Sequence, residues 1–480
     1  MEETIAAVST AYGEGGIGIV RMSGESAKDV LDSLFCRVSD NIADSSVNDS
    51  LAAKKIIRNI DIEPRKLTYG NIADPATGEI IDEVLVCYMP APHTYTTEDV
   101  VEIDCHGSIV SLRRILSLCL ENGARLAEPG EFTKRAFLGG RLDLSQAEAV
   151  IDMIKAKTDG SFDAAIGQLE GKLSKEIRKL RAALLDILVN ITVNIDYPDE
   201  DIEEILYDDI EKQLSTVKSK VADLINDGEK GRIVREGIDV AIVGKPNVGK
   251  SSLMNALLRE TRAIVTEIPG TTRDTIEESV NIGGIPVRLT DTAGIRDTED
   301  KIEQIGIRRS WESIESADLV VLLLDVSRGL EQEDLEITDL LKEFENKKIL
   351  ILANKQDLDK KIEISEIEDL LPGSRILETS LTGEDDDSIR QMENTITDMV
   401  MGGEGRQANS MMVTNVRHLD LLKNCLSAIG DAIDITRLAE PLELIEIDIS
   451  RGYGFLGEII GEETSDDIIN EVFARFCLGK

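Results

Sequence analysis

The residues best suited to chemistry run from Gly244 to Ser251, GKPNVGKS, and match the pattern G-x-x-x-x-G-K-[ST]. Glycines let backbone N–H groups approach a polyphosphate, Lys250 supplies a point charge to the outer phosphates, and Ser251 offers a hydroxyl to a magnesium ion. Three later motifs narrow the nucleotide. Asp291–Thr292–Ala293–Gly294 puts a carboxylate where it can hold magnesium through water, and a glycine N–H where it can meet a γ-phosphate. Thr271–Thr272 follows Gly270, and one of these hydroxyls would complete the magnesium shell. In Asn354–Lys355–Gln356–Asp357, the Asp357 carboxylate can accept the ring N–H and amine of guanine together. Adenine lacks that donor pair, and a mismatch leaves a buried carboxylate unpaired at a cost of ~1–3 kcal/mol or more. In this order the four motifs predict a domain that binds GTP. The position after Asp-x-x-Gly, where many GTPases carry a water-orienting glutamine, is Ile295, so hydrolysis needs another water-positioning group and another source of positive charge.

Alternating elements are needed to hold these motifs. Ile238–Val243 reads as a buried parallel strand before the glycine loop, and Ser252–Leu258 as the helix after it. Further strand-like runs lie at Val287–Leu289, Leu319–Val326 and Ile349–Leu352, so residues 235–384 predict a doubly wound parallel sheet, closed by an acidic linker at Glu384–Asp387. Upstream, residues 1–120 are mixed. Gly13–Gly18 precedes the short strand-like run Ile17–Arg21, the wrong order for a dinucleotide fingerprint, and predicts a loop. Residues 37–66 are polar and predict an irregular excursion; strands follow at Ile80–Tyr88 and Val100–Ile103, with a helix over Val110–Leu120.

From 121 to about 230 the period becomes helical. Ser145 with Glu148 has capping-box spacing. Leu169 to Ile191 predicts one long helix ended by Pro198, and Ile202 to Leu224 the next, with Asp227–Gly228 as its stop. In the tail, 385–480, Leu419 to Ile433 share a helix face, Leu442–Ile449 is ambiguous between strand and helix, and Asp466–Phe476 reads as a last helix after Ser465. The order predicts a helical bundle interrupted by an inserted α/β domain.

The chain of 480 residues suffices for roughly three domains of ~150 residues. With 53 Lys plus Arg against 92 Asp plus Glu, the net charge is −39, which repels a polyanion at long range, so contact with nucleic acid needs a local basic patch or a second protein. No apolar run approaches the ~20 residues that span a bilayer. Met1–Thr10 lacks a basic region, so a soluble, cytoplasmic protein is expected, with no membrane partner. The six cysteines form no C-x-x-C pair, which argues against zinc and for free buried thiols.

Along nearly its whole length the chain resembles the MnmE (TrmE) family of tRNA-modification GTPases. The resemblance is carried by GGIGIVRMSG at 15–24, TTEDVVEIDCHG at 96–107, PGEFTKRAFLGGRLDLSQAEA at 129–149, GKPNVGKSSLMNAL at 244–257, PGTTRD at 269–274, IEQIGIRRS at 302–310 and FCLGK at 476–480. It implies a multidomain α/β chain: an α+β folate-binding and dimerising domain over 1–120, a helical domain in two segments, 121–234 and 385–480, and a P-loop GTPase domain inserted at 235–384. The implied activity is GTP hydrolysis coupled to adding an aminomethyl or carboxymethylaminomethyl group at the wobble uridine of certain tRNAs. A flavin-dependent partner, MnmG (GidA), and 5,10-methylene- or 5-formyl-tetrahydrofolate take part, and that partner would hold most of the tRNA.

For the sites, the resemblance implies nucleotide contacts at Asn247, Val248, Gly249, Lys250, Ser251, Ser252, Thr266, Thr271, Thr272, Asp291, Thr292, Ala293, Gly294, Asn354, Lys355, Asp357, Ser380 and Leu381. Magnesium would sit on Ser251 and Thr272. Potassium, on Asn247, Thr266, Ile268 and Thr271, would neutralise developing charge where other GTPases use an arginine. Glu303, by itself readable as a solvated helix residue, matches the water-positioning glutamate. Arg21, Glu102, Arg141 and Lys480 match folate contacts: cations for the folate's carboxylates, Glu102 for the pterin's amines. Cys477 is either a small buried thiol or a group acting near the folate, and His106 either a loop hydrogen bond or a catalytic group. Two positions depart from the family: Leu381 replaces the usual alanine after Ser380, and Arg141 stands where lysine is common. A regulatory or ribosome-assembly GTPase is the alternative, but such a protein needs no folate pocket and would carry an RNA-binding module.

Overall fold

Burial alternates along the early strands, so each shows one face to a core and one outward. The chain is described here by a computed structural model covering residues 3–11, 13–39, 55–196, 207–260, 278–291, 313–344, 347–381, 386–403, 413–477 and 479. It divides into two compact units, residues 1–151 with 457–480, and residues 152–456.

The first unit begins with β1 (Ile5–Val8), β2 (Gly15–Ser23), α1 (Ala27–Leu34), β3 (Phe35–Ser39), β4 (Lys55–Ile57), β5 (Thr68–Ala73), β6 (Ile80–Met89), β7 (Val100–Gly107), α2 (Ile109–Glu121), β8 (Arg125–Leu126), α3 (Glu131–Leu138) and α4 (Leu144–Lys155). Its strands form a sheet in the order β4-β3-β5-β6-β7-β2-β1-β8. Val20, Met22, Val86 and Ile103 on the inner face pack against Val30, Leu31 and Leu34 of α1 and Leu112, Ile115 and Cys119 of α2. Each such fully buried side chain contributes roughly 1.5–3 kcal/mol. The outer face carries Arg21 opposite Glu102, and the exposed Ile17, Leu67 and Tyr69 lie in or beside its strands.

The second unit contains α5 (Asp159–Leu169), α6 (Lys172–Asp196), α7 (Tyr207–Glu236), β9 (Ile238–Val243), α8 (Lys250–Glu260), β10 (Glu278–Ile282), β11 (Ile285–Asp291), β12 (Leu319–Asp325), α9 (Gln332–Lys342), β13 (Lys348–Asn354), α10 (Ile364–Leu370), β14 (Arg375–Thr379), α11 (Asp386–Met401), α12 (Val416–Arg437) and α13 (Leu442–Ile460). Its sheet runs β10-β11-β9-β12-β13-β14, parallel apart from the β10–β11 hairpin. The carboxyl ends of β9, β11, β12, β13 and β14 therefore converge on one edge, where open α/β sheets place their ligands. The last helix, α14 (Asp466–Ala474), returns to the first unit: Phe473 packs beside Phe137 of α3, with Leu144 and Ile151 of α4 in the same cluster.

Several expectations from sequence change. The strand at Ile17 starts earlier, so Gly15 and Gly16 lie in β2. The irregular stretch 37–66 contains parts of β3 and all of β4. α4 is capped two residues before the Ser145–Glu148 spacing suggested. The Gln146 N–H donates to Asp143 Oδ1 at 3.0 Å, and Gln146 Oε1 accepts the Asp143 N–H at 3.0 Å. The single helix expected over Leu169–Ile191 is two, because Gly171 adopts φ +76°, outside helical geometry. Asp227–Gly228 does not stop α7. A Cβ on Gly228 would lie 2.5 Å from Leu419 Cδ2, and one on Gly231 2.0 Å from the Val413 carbonyl, so these glycines admit close packing instead of ending the helix. Leu442–Ile449 is helical, within α13. Asp386 and Asp387 open α11, and Ile389, Met392, Ile396 and Val400 share the core of the parallel sheet, beyond the boundary drawn at 384.

Candidate functional site

The phosphate loop lies between β9 and α8, as the motif requires. Three of its residues take positive φ, Gly244 at +148°, Asn247 at +65° and Gly249 at +114°. A Cβ on Gly249 would stand 2.4 Å from Asn354 Nδ2, so the loop closes against the end of β13 only with glycine there. Lys250 is buried, and its amine donates to the carbonyls of Gly244 and Lys245. Val248 is fully buried in the core of the parallel sheet, while Ser251 and Ser252 are exposed at the start of α8. This backbone cradle with one ammonium and one hydroxyl at its mouth fits a polyphosphate with magnesium.

Asn354 ties the base-reading motif to that loop. Its Nδ2 donates to the Val248 carbonyl at 2.8 Å, and its Oδ1 accepts the Leu381 N–H at 3.1 Å. Register places Asn354 opposite Asp325 on one side and Thr379 on the other. Lys355, at φ +69°, donates its amine to Asp325 Oδ2 at 2.6 Å. Burial alone would raise the Asp325 pKa, but Lys355 and Ser327 outweigh it and hold the carboxyl below its ordinary range. Asp357 is exposed, and its Oδ1 accepts the Ser380 hydroxyl at 2.7 Å. Leucine at 381 thus leaves its backbone N–H engaged with Asn354.

In the first unit a second cluster forms on the open sheet face. Arg21 donates through Nε and Nη2 to Glu102 Oε1, at 2.9 and 2.7 Å. Its guanidinium lies 5.7 Å from the centre of the Tyr95 ring and 5.8 Å from that of Phe132. Arg141 stacks on Tyr95 at 4.7 Å and donates to the Tyr95 carbonyl at 3.0 Å. Helix α3 supplies Phe132 and Thr133, the latter hydrogen-bonded to the Tyr95 hydroxyl at 2.9 Å. Two buried ions anchor α3: Glu131 accepts from Arg125 and Arg135, and Arg135 reaches Glu98 at 3.0 Å. Burial would raise the Glu131 pKa, but Arg125, the Glu128 N–H and Arg135 lower it to about 2. Gly130, at φ +70°, has the Phe473 carbonyl 2.7 Å from any Cβ, which seats α14 on this turn. Two cations and a carboxylate around an aromatic ring suit a flat heterocycle bearing carboxylates.

Two family models match the chain, the MnmE helical domain over residues 144–477 and the GTP-binding protein TrmE N-terminus over residues 4–141. The tRNA modification GTPase MnmE of Alkaliphilus metalliredigens is 48% identical over 480 residues, 100% of both chains. That of Acetivibrio thermocellus is 47% identical over 479 residues, 100% of this chain and 99% of its own. The chain belongs to the MnmE family. It is accordingly a GTP-hydrolysing enzyme of tRNA modification. Among solved structures, Era of Aquifex aeolicus bound to GDP and AlF4⁻ aligns at 28% identity over 40% of this chain and 66% of its own, with a TM-score of 0.27. The fold assignment rests on the chain's own sheets and on the MnmE family.

Of the residues expected to act in this MnmE-family chain, the structure brings Asn247, Val248, Gly249, Lys250, Asn354 and Leu381 together at one sheet edge, and Arg21, Glu102 and Arg141 around Tyr95. Asp291 ends β11, two strands from β12. Thr266, Ile268, Thr271, Thr272, Thr292, Ala293, Gly294, Ile295, Glu303 and Lys480 lie outside the described residues. Cys477 is exposed, not the buried thiol of the simpler reading, and its carbonyl accepts the Gly130 N–H at 3.3 Å. His106 lies in β7 and not in a loop, and its Nδ1 is hydrogen-bonded to Asp82 Oδ1 at 2.6 Å. Sequence reasoning missed Asp325, Tyr95, Phe132 and Glu131. Asp325 had a signal, an acid ending a run of seven buried residues; the others are visible only once strands pair.

Proposed function

We propose that this enzyme is a potassium-stimulated, magnesium-dependent GTPase. With a flavin-dependent partner of the MnmG (GidA) type, it adds a carboxymethylaminomethyl or aminomethyl group to the wobble uridine of certain tRNAs, drawing the carbon from 5,10-methylene- or 5-formyl-tetrahydrofolate. The observation that carries this reading is the Arg21–Glu102–Arg141 cluster around Tyr95, a second ligand-shaped constellation that a GTPase acting only as a switch does not need. Arg21 and Arg141 would meet the folate's carboxylates, Glu102 the pterin's amines, and Lys480 and Cys477 would lie at its margin.

At the nucleotide, Lys250 and the loop N–H groups bind phosphate, Ser251 with Thr272 and Asp291 hold magnesium, and Asp357 selects guanine. Ser252, Thr292, Ala293, Gly294, Ser380 and Leu381 complete the pocket. A potassium ion on Asn247, Thr266, Ile268 and Thr271 would supply positive charge, and Glu303 would orient the water. The folate-binding region spans 1–120, the GTPase domain runs from 235 past 384 to include α11, and the helical segments are 121–234 and the rest of 385–480. The protein acts as a cytoplasmic homodimer. The exposed Ile17, Leu67 and Tyr69 of the first unit's sheet, at 65, 61 and 58%, support pairing there. The net charge of −39 supports a partner that holds most of the tRNA.

The test measures GTPase rate against potassium and sodium at equal ionic strength, and folate binding by equilibrium dialysis. A rise with potassium alone, lost in Asn247→Ala, and folate binding lost in Arg21→Ala are expected. A rate indifferent to the cation removes the potassium site, and absence of folate binding removes the modification chemistry proposed here.

A further inference from the structure

Lys245, the second residue of the phosphate loop, has a side chain only 4% exposed, and its amine donates to Asp334 Oδ2 at 3.1 Å and to Glu331. Both acids belong to the start of α9. Glu331 is its N-cap, and Asp334, 7% exposed, also accepts the Glu331 N–H at 3.0 Å. The N-terminal end of a helix carries partial positive charge and disfavours a cation. Burial and that partial charge would both lower the pKa of a lysine amine there, but the Glu331 and Asp334 carboxylates outweigh them and hold it above the ordinary value. On its other side, the Lys245 carbonyl accepts the Lys250 amine at 2.9 Å. Helix α9 is therefore joined to the phosphate-binding ammonium through a single residue. Gly244 confines the same stretch: at φ +148° it leaves a Cβ only 2.7 Å from the Leu323 carbonyl.

We propose that Asp334, assisted by the more exposed Glu331, is a positioning residue for GTP binding and hydrolysis. Acting through Lys245, it fixes the backbone that aims Lys250 and the loop N–H groups at the β- and γ-phosphates. This rests on the reading of Gly244–Ser251 as the GTP site. A role confined to stability would show only in folding; a positioning role must show in phosphate affinity when folding is intact.

The experiment uses the full chain and four variants, with GTP and GDP dissociation constants, turnover and melting temperature as readouts. Asp334→Asn should weaken GTP and GDP by about tenfold and slow turnover, leaving the preference for GDP over ADP unchanged because Asp357 sets it. The double variant Lys245→Met with Asp334→Leu replaces the buried pair by apolar groups, an exchange that is often neutral for folding. It should melt within about 4 °C of the unmodified chain and still show the tenfold loss. Lys245→Arg keeps a cation facing both acids and should retain affinity to within about threefold of the unmodified chain. A well-folded double variant with unchanged GTP affinity and turnover overturns the proposal. Lys250→Ala is the reference: if it binds GTP normally, the assignment of the loop itself is wrong, an outcome distinct from failure of the Asp334 role alone.

Discussion

At the phosphate loop the candidate groups lie within Gly244–Ser251, and the backbone does the shaping: three residues at positive φ, one glycine against Asn354, and carbonyls that receive Lys250. In the other unit, Arg21 and Glu102 stand 81 positions apart and meet only through strand register, with Tyr95, Phe132 and Arg141 brought from three further places. The first site is a conformation that particular residues permit. The second is a set of charges and rings that a sheet and an anchored helix assemble. The loop should therefore be most sensitive to added atoms, and the cluster to removed charge.

Gly249→Ala is the severest test. Its Cβ would meet Asn354 Nδ2 at 2.4 Å from a backbone at φ +114°, so GTP turnover should fall about a hundredfold or more and stability by about 1–3 kcal/mol. Stopped-turnover assays and urea unfolding read the two effects; a silent variant would mean that the loop is not conformationally defined. Glu131→Gln probes the anchor of the cluster. Because burial opposes and Arg125, the Glu128 N–H and Arg135 together depress its pKa from 4.5 to about 2, the stabilisation is present above its unfolded value and is lost as pH falls from about 4.5 to 2. The contribution is of the order of 2–3 kcal/mol. Urea unfolding across that window should show a shallower acid limb in the variant.

Glu102→Gln removes the charge facing Arg21 and should weaken folate binding by about tenfold while leaving GTPase kinetics within about twofold, checked by dialysis and phosphate release. Equal loss at both sites would end the view that they are built independently. The smallest effect is expected at His106. Its pKa is raised first by the hydrogen bond to Asp82, so the stabilisation is complete below the ordinary histidine value and fades as pH rises through the raised one. An NMR titration should return His106 to its ordinary range in Asp82→Asn.

Much of the parallel sheet was legible because β9, β12 and β13 are short apolar runs buried along most of their length, and β9 and β13 end where a motif begins. The helix breaks were less so. Gly171 and Gly228 are the same residue type, yet one ends a helix and the other lies inside one, and only the nearness of Leu419 and Val413 separates them. The Ser145–Glu148 spacing competed with Asp143–Gln146 two positions earlier, a choice that local hydrogen bonding decides within ±2 residues.

By itself the sequence determined the expectation of GTP, because in GKPNVGKS and NKQD the groups suited to phosphate and guanine are contiguous, and contiguous residues keep their spacing in any fold. It also determined the family, through motifs spread over the chain. Only the tertiary structure decided that Lys355 spends its amine on Asp325, that Lys245 is pinned to α9, and that Arg21 lies between Glu102, Tyr95 and Phe132. Those partners are distant along the chain, and which of many acids or rings a cation meets is set by strand order and register, quantities that no local spacing encodes.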